Sequence, residues 1–410
     1  MAAKKKDTAL KLKVAADVGN GYVKGFINER IIDEPAHAVK RYNTGFEKPL
    51  PTSPISEHFK SAIYDYMDVT IASPLVLDTV RRIYGESAKT SGSPLEEFDV
   101  FSPQSKADVD LFGVLLLGNI VADTLSQYWE THDTFPEETF TVHVDLATAL
   151  PIMEFVQNEA ILANKILNNG MGHHVTMLNF EQPIAFNIIF DSVVILNEGE
   201  AAQRRIQTAN DVFKEYLIKD AKSRFVNGEL DDVTGDDIIG LKNTLAIDIG
   251  EGTTDFAVFS NGQFNQKASR SVNHGYGLVL ENALEILRSE NYTYTSRKEL
   301  SEFLNSEPSK LARVKWNHVK SIVDEEAAKF TDEIVSDTSR IYTGVGSFVE
   351  AIFVSGGGAS PLEPWLFDKL QDLIASYGTE QLVPIIYLDS TYSRYLNATG
   401  LYSVLTSNEK

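Results

Sequence analysis

The chain has 410 residues with an ordinary soluble composition, 43% hydrophobic and 23% charged, and a formal net charge of −21. That length exceeds a single small core and predicts two domains, while the absence of cysteine excludes disulfides, thiolate zinc sites and a thiolate nucleophile. The acidity argues against direct, non-specific DNA binding, because attraction to phosphates needs a basic surface.

The Lys4-Lys5-Lys6 start lacks the apolar segment of a signal peptide and reads as a solvated tail. A hairpin follows: the apolar run 12–16 reads as a strand, and 22–27 returns as β-type sequence. Over 28–105 the text is irregular, with Pro35, Pro49, Pro51, Pro54, Pro74, Pro94 and Pro103, and it predicts a loop-rich insertion rather than a core. Val109, Phe112, Leu116, Ile120, Leu125 and Trp129 recur at helical spacing and predict an amphipathic helix over 106–129. The uncharged run inside it, 111–122, is bounded by Asp110 and Asp123 and falls short of the ~20 residues that span a bilayer. A cytoplasmic chain without a membrane partner is therefore expected. Next come a strand over 139–150 that breaks at Pro151 and a helix over 154–168 that stops at Asn169-Gly170. Two strands, 173–181 and 184–196, precede a helix that starts near Glu200 and a polar stretch over 227–237. A second hairpin surrounds residue 250, and helices follow over 277–289 and 316–341. The strand 351–354 enters a glycine run, and a final strand, 384–388, leads to a helix over 393–405. Strands interleaved with helices throughout predict an α/β architecture.

The chemistry concentrates in four places. Two acid-led glycine turns stand about half the chain apart: Asp17-Val18-Gly19-Asn20-Gly21-Tyr22-Val23-Lys24 and Asp248-Ile249-Gly250-Glu251-Gly252-Thr253-Thr254-Asp255. A glycine turn suits a triphosphate because backbone N–H groups point inward with no Cβ blocking approach. Gly19, Gly21, Gly250 and Gly252 supply that freedom, Asn20, Thr253 and Thr254 add donors, and Lys24 adds a point charge. Asp17 and Asp248, at strand ends, suit a hydrated magnesium ion that keeps several of its waters. One such turn alone is an ordinary hairpin; two similar ones suggest duplicated halves. In Val354-Ser355-Gly356-Gly357-Gly358-Ala359, three glycines after a strand let backbone lie flat against a base or ribose, although a flexible loop reads the same way. In Asn197-Glu198-Gly199-Glu200, a carboxylate could orient an attacking water, and an acidic helix N-terminus would look identical. The adjacent His173 and His174 point to opposite faces of a strand and suggest no metal site.

The order of these four elements resembles the actin, hexokinase and heat-shock-chaperone ATPase superfamily, and the second turn is nearest to bacterial plasmid-segregation actins of the ParM/StbA type. Thr148-Ala149-Leu150-Pro151 and Arg394-Tyr395-Leu396-Asn397-Ala398-Thr399-Gly400 resemble its two interdomain connections. The resemblance implies an actin-like (ribonuclease-H-like) two-domain α/β fold with a nucleotide cleft between duplicated halves. Domain I would be 1–150, with an insertion subdomain over 28–105 and completion by 390–410; domain II would be 151–389. It also implies an ATPase in which Glu198 positions the hydrolytic water and Asp17 and Asp248 hold the water shell of Mg2+, Asp248 serving catalysis as well. Gly19, Asn20, Gly21, Lys24, Gly250, Gly252, Thr253 and Thr254 would bind phosphates, and Gly356, Gly357 and Gly358 would back the adenosine. ATP is the family default, and the loop fits GTP equally. Glu251 stands where a small residue is common and should point away from the phosphates. The implied function is a head-to-tail, nucleotide-dependent filament that segregates plasmid DNA through a basic DNA-binding adaptor of the ParR type, with no direct DNA contact. The alternatives are a chaperone-like ATPase, which needs a substrate-binding domain beyond Lys410, and a small-molecule kinase, which needs a carboxylate base for its substrate.

Overall fold

The structure is a computed structural model that describes residues 10–407 except 43–61, 100–101, 103, 137, 181, 226–227, 295, 347 and 379–381. The Lys4-Lys5-Lys6 tail and the middle of the insertion lie outside the described residues. The chain divides into two compact units, Met1–Arg205 with Tyr395–Lys410, and Ile206–Arg394.

In the first unit, β1 (Leu10–Val18) and β2 (Tyr22–Ile27) form an antiparallel hairpin that β3 (Arg30–Pro35) extends. Leu12, Val14, Ala16 and Val18 of β1 enter the main core, while Asp17 shares the other face with Ala15. The chain continues through β4 (His37–Arg41), β5 (Asp68–Ala72), β6 (Arg81–Tyr84), α1 (Gly85–Thr90) and the short β7 (Glu96–Glu97). After a 3-10 turn at Lys106–Asp108 come α2 (Asp110–His132), β8 (Phe140–Leu150), α3 (Ile152–Leu167), β9 (His173–Met177), β10 (Ile184–Asn197) and α4 (Glu198–Gln207). The ten strands form one sheet in the order β3-β2-β1-β8-β10-β9-β5-β6-β4-β7, with β1, β8 and β10 parallel.

Two expectations change here. The insertion is no loop-rich segment among the described residues. β5 pairs with β9, with Ile71 opposite Val175, and carries β6, β4 and β7 outward, while Tyr64, Met67 and Tyr84 join the core. Of its described prolines, Pro35 ends β3, and Pro74 and Pro94 lie between strands that are too short for a clear period. Its charges are also internal: the fully buried Asp68 takes two bonds from Arg81, and the buried Arg82 donates to Glu96 at 2.9 Å and to the Val80 carbonyl at 2.6 Å. Second, α2 is not amphipathic in its first half, since every residue over 111–122 is buried. Its length and composition would suit a membrane span, but 78% of its apolar 18-residue stretch is covered by protein. The compact first unit includes residues up to Arg205, and within it β10 pairs with β8 as far as Asn197 opposite Leu150.

The second unit contains α5 (Asp211–Ser223), α6 (Gly235–Ile239), β11 (Thr244–Ile249), β12 (Thr254–Ser260), β13 (Gln263–Phe264), β14 (Arg270–Val272), α7 (Tyr276–Ser289), α8 (Arg297–Asn305), α9 (Arg313–Gly344), β15 (Ala351–Ser355), α10 (Ala359–Ser376), β16 (Ile385–Tyr387) and α11 (Ser390–Ser393). Its sheet runs β13-β12-β11-β15-β16, with β14 on β12 and with β11, β15 and β16 parallel. The run β12-β11-β15-β16 repeats the plan of β2-β1-β8-β10, an antiparallel hairpin followed by two parallel strands. The single helix expected from Glu200 is two, α4 and α5, because Asn210 takes the Phe213 amide at 3.0 Å and starts a new helix. The last helix, α12 (Leu396–Thr406), lies on β1 and β8, where Ala15, Ala147, Ala149, Ala201 and Leu401 are buried together.

Glu34 on β3 gives this unit a pH dependence. Burial pushes its carboxyl up to about 7, and the neighbouring Asp65 and Asp33 push the same way. The folded state therefore holds this proton more tightly than the unfolded chain. Its contribution to stability is complete below the ordinary carboxylate range and is lost as pH rises through 7. After screening by solvent at this half-buried position, the loss is about 1 kcal/mol. Thermal unfolding of the parental protein and Glu34→Gln between pH 5 and 8 is expected to give a flatter profile for the variant; parallel profiles would remove Glu34 as the cause.

Candidate functional site

The two acid-led turns close with the same backbone hydrogen bond. In each, the first glycine donates to the carbonyl three residues on: Gly19 N to Tyr22 O at 3.0 Å, and Gly250 N to Thr253 O at 2.9 Å. A Cβ at Gly19 would stand 2.9 Å from Tyr22 O, and one at Gly250 would stand 3.2 Å from Thr253 O. No residue of either turn takes a positive φ, so close approach, and not a left-handed backbone, selects these glycines. The next two amides, of Asn20 and Gly21 and of Glu251 and Gly252, have no acceptor among the described residues. Carbonyls, by contrast, are engaged. Gly21 O accepts from Ala36 N at 2.9 Å, and α7 docks its first amides on the second turn, Tyr276 N to Gly250 O at 2.9 Å and Gly277 N to Glu251 O at 2.8 Å. Backbone whose carbonyls are tied down and whose consecutive amides are not is suited to an anion.

In the first unit the aspartate and lysine of the motif sit directly across from each other, Asp17 opposite Lys24 and Lys24 opposite Asp33. Cross-strand side chains on one face interact at this spacing. Asp17 is the penultimate residue of β1, and Glu198 follows the end of β10, so both lie at the carboxyl edge of the parallel strands, where open α/β sheets bind ligands. Asn197 caps α4 by accepting the Glu200 amide at 2.8 Å, which fixes Glu198 as the first residue of the helix. Burial pushes the neighbouring Glu200 carboxyl up. Lys106 joins these parts: its Nζ lies 3.5 Å from Val18 O and 3.7 Å from Glu198 Oε1. Sequence reasoning placed Lys106 only at a helix start, and no local pattern marks it.

In the second unit the structure brings the glycine run onto the second turn. Gly358 N donates to Ile249 O at 2.8 Å. Gly356 has φ +95°, and a Cβ there would stand 2.3 Å from Asp248 Oδ1 and 2.4 Å from Ile249 O. A Cβ at Gly358 would meet Ile249 and Tyr276, whereas Gly357 has nothing within 4 Å and is exposed. Of the three glycines, two serve the packing of the turn and one faces open space. Thr254 is buried and gives its hydroxyl to His274 O at 2.8 Å, and Thr253 Oγ1 donates to Asp255 Oδ2 at 3.1 Å. Ser271 donates to the other oxygen of the buried Asp255, which thus braces the turn from within. Glu251 pairs with Arg297 at 3.4 Å, and Arg297 also reaches Glu281 at 3.9 Å.

Gly356→Ala is accordingly expected to lower stability by about 2 kcal/mol, from an unfavourable φ and contact with the Ile249 carbonyl. Gly357→Ala, with open space, is expected to leave the melting temperature unchanged. Thermal melts of the two variants test the assignment, and equal melting would refute it.

Residues 246–368, less than a third of the chain, match the family model described as the C-terminal part of an archaeal actin homologue, MreB-like. A search of curated proteins gives no match. Among solved structures, the chain is similar to the actin-like protein Alp7A, with a TM-score of 0.66 and 15% identity over 98% of this chain and 97% of that one. It is similar to a ParM in a 15-stranded filament from Clostridium botulinum, with a TM-score of 0.59 and 17% identity over 97% and 99%. It is also similar to Bacillus thuringiensis ParM with ATP, with a TM-score of 0.57 and 14% identity over 98% and 100%.

Proposed function

We propose, from the actin-like fold that this chain has, that it binds and hydrolyses ATP or GTP and assembles into filaments, which move plasmid DNA through a basic adaptor. The observation that carries the reading is the matched pair of turns, each with two consecutive acceptor-free amides beside an aspartate at the end of a parallel strand. The amides of Asn20, Gly21, Glu251 and Gly252 would receive phosphate oxygens, with Lys24 as a nearby point charge. Gly357 offers an uncrowded backbone surface to a base or ribose, supported by Gly356 and Gly358 behind it. Thr253 and Thr254 would act by holding the second turn in shape.

The donor set suits magnesium: Asp17 and Asp248 are hard oxygen ligands at strand ends beside amides suited to phosphate. Bound there, magnesium would offset negative charge on the phosphates. Glu198 would accept a hydrogen bond from the attacking water and orient it. Filament assembly is supported by the likeness to a ParM in a filament, and ATP by the likeness to a ParM solved with ATP. A head-to-tail contact between identical subunits does not close on itself unless its rotation does, and so gives open filaments. The net charge of −21 leaves DNA contact to a separate basic protein.

The test is high-speed pelleting without nucleotide and with ADP, ATP, GTP and a non-hydrolysable ATP analogue, with phosphate release followed in parallel. Triphosphate-dependent pelleting that reverses as phosphate appears is expected. Hydrolysis without pelleting at any concentration would sink the filament and favour a chaperone-like or kinase activity.

A further inference from the structure

We infer that Lys106 is a positioning residue for hydrolysis, holding the Glu198 carboxylate against the turn between β1 and β2. The inference rests on the reading in which Glu198 orients the attacking water. Its ammonium bridges two elements that come together only through tertiary folding, Val18 O at the start of the turn and Glu198 Oε1 at the start of α4. Both side chains are mostly buried, 14% and 15% exposed, so the pair is screened far less than a surface pair.

The lysine is itself held at its backbone from one helix, α3. Glu154 Oε2 accepts from the Lys106 amide at 2.9 Å and from Ser105 Oγ at 2.6 Å. Lys165 donates to Ala107 O at 3.0 Å and to Asp108 Oδ1 at 2.9 Å, and Ser105 Oγ takes the Ala107 amide at 3.1 Å. The short 3-10 turn at Lys106–Asp108 is thereby fastened on both sides, which limits where Nζ can go. The Phe98 ring lies 5.9 Å from Nζ and covers the ammonium. A flexible surface lysine would need none of this. A carboxylate that must orient one water gains from such fixing, since small misplacements of catalytic groups cost rate heavily.

The experiment compares phosphate release by the full chain with Lys106→Met, Lys106→Arg, Glu198→Ala and the Lys106→Met/Glu198→Ala double variant, together with affinity for a non-hydrolysable ATP analogue. Lys106→Met is expected to lower kcat about 10- to 30-fold with affinity within about threefold, and Lys106→Arg to recover most of that loss. The double variant is expected to be no slower than Glu198→Ala, because a residue acting through Glu198 has nothing left to position. If Lys106→Met does not fold, Glu154→Gln takes its place: it keeps the ammonium, loosens its backbone, and is expected to lower kcat about threefold or more. Parental kcat in the folded lysine variant, or in Glu154→Gln where that stands in, overturns the inference, as do multiplicative losses in the double variant. Slow Glu198→Ala beside an unaffected Lys106→Met overturns only the lysine's role. No phosphate release from the parental chain overturns the hydrolytic reading and this inference together.

Discussion

Glu198→Ala is expected to slow nucleotide hydrolysis by about 10²- to 10³-fold while leaving nucleotide affinity within about threefold. The two effects separate because of where the residue sits. The groups proposed to bind phosphate are backbone amides, and those are held by β-pairing, by Ala36 and by the first amides of α7. None of these supports uses the Glu198 side chain. The helix should survive the change as well. Asn197 continues to accept the Glu200 amide, and losing one carboxylate from the first turn of α4 costs only about 0.3–1 kcal/mol through the helix dipole. A filament-forming protein that binds but does not hydrolyse is expected to stay assembled, so pelleting with ATP should persist rather than reverse. The check is single-turnover phosphate release with nucleotide binding measured on the same preparation. A parental rate removes Glu198 from the chemistry; a lost affinity would make it a binding residue instead.

How far the sequence carried this site depends on the length of the element involved. The paired turns were legible because each is a contiguous motif at the end of a strong apolar strand, and the resemblance they implied is borne out at the level of fold. The long helices α7 and α9 were also legible, within a few residues, since their apolar spacing repeats over several turns. The insertion was not. β4 to β7 are two to five residues long, and what stabilises them is pairing with β9 and each other, with arginines buried on carboxylates. A period cannot establish itself in so few residues, and a buried arginine reads as surface. α2 failed differently. It is apolar almost all round because other elements cover it, and its spaced large residues mimicked a one-sided stripe. Lys106 was illegible in principle. Its partners stand 88 and 92 positions away in sequence, and only the fold brings them near. The glycine run shows the converse: its place directly after a strand was legible, but the demand at Gly356 comes from Asp248 and Ile249, a contact no linear pattern contains.

Gly400→Ala is expected to destabilise the first unit by about 3 kcal/mol and to slow hydrolysis as well. α12 crosses α4 at this position, and a Cβ on Gly400 would stand 1.8 Å from Ala201 O. That contact is helix backbone against helix backbone, so no flexible side chain can swing aside. The neighbouring layer offers little slack either: Ala15, Ala147, Ala149 and Leu401 are fully or nearly fully buried beside it, in an interior packed as densely as a crystal. Relief must come from moving one helix. If α4 moves, its first residue, Glu198, moves with it, and its 3.7 Å approach to Lys106 changes. If α12 moves, the alanines it covers on β1 and β8 open to solvent, and the bond from Tyr395 to Asp33 Oδ2, 2.7 Å long, is strained. For a unit of this size, the loss corresponds to a melting temperature lower by roughly 6–12 °C. Gly344→Ala is the control, because nothing lies within 4 Å of its Cβ position at the end of α9. There the substitution should be neutral or raise stability by about 0.5 kcal/mol, through the reduced freedom of the unfolded chain. Calorimetry of the two variants separates a general intolerance of glycine replacement from the close helix crossing. If Gly400→Ala melts with Gly344→Ala, α12 and α4 do not meet as closely as this.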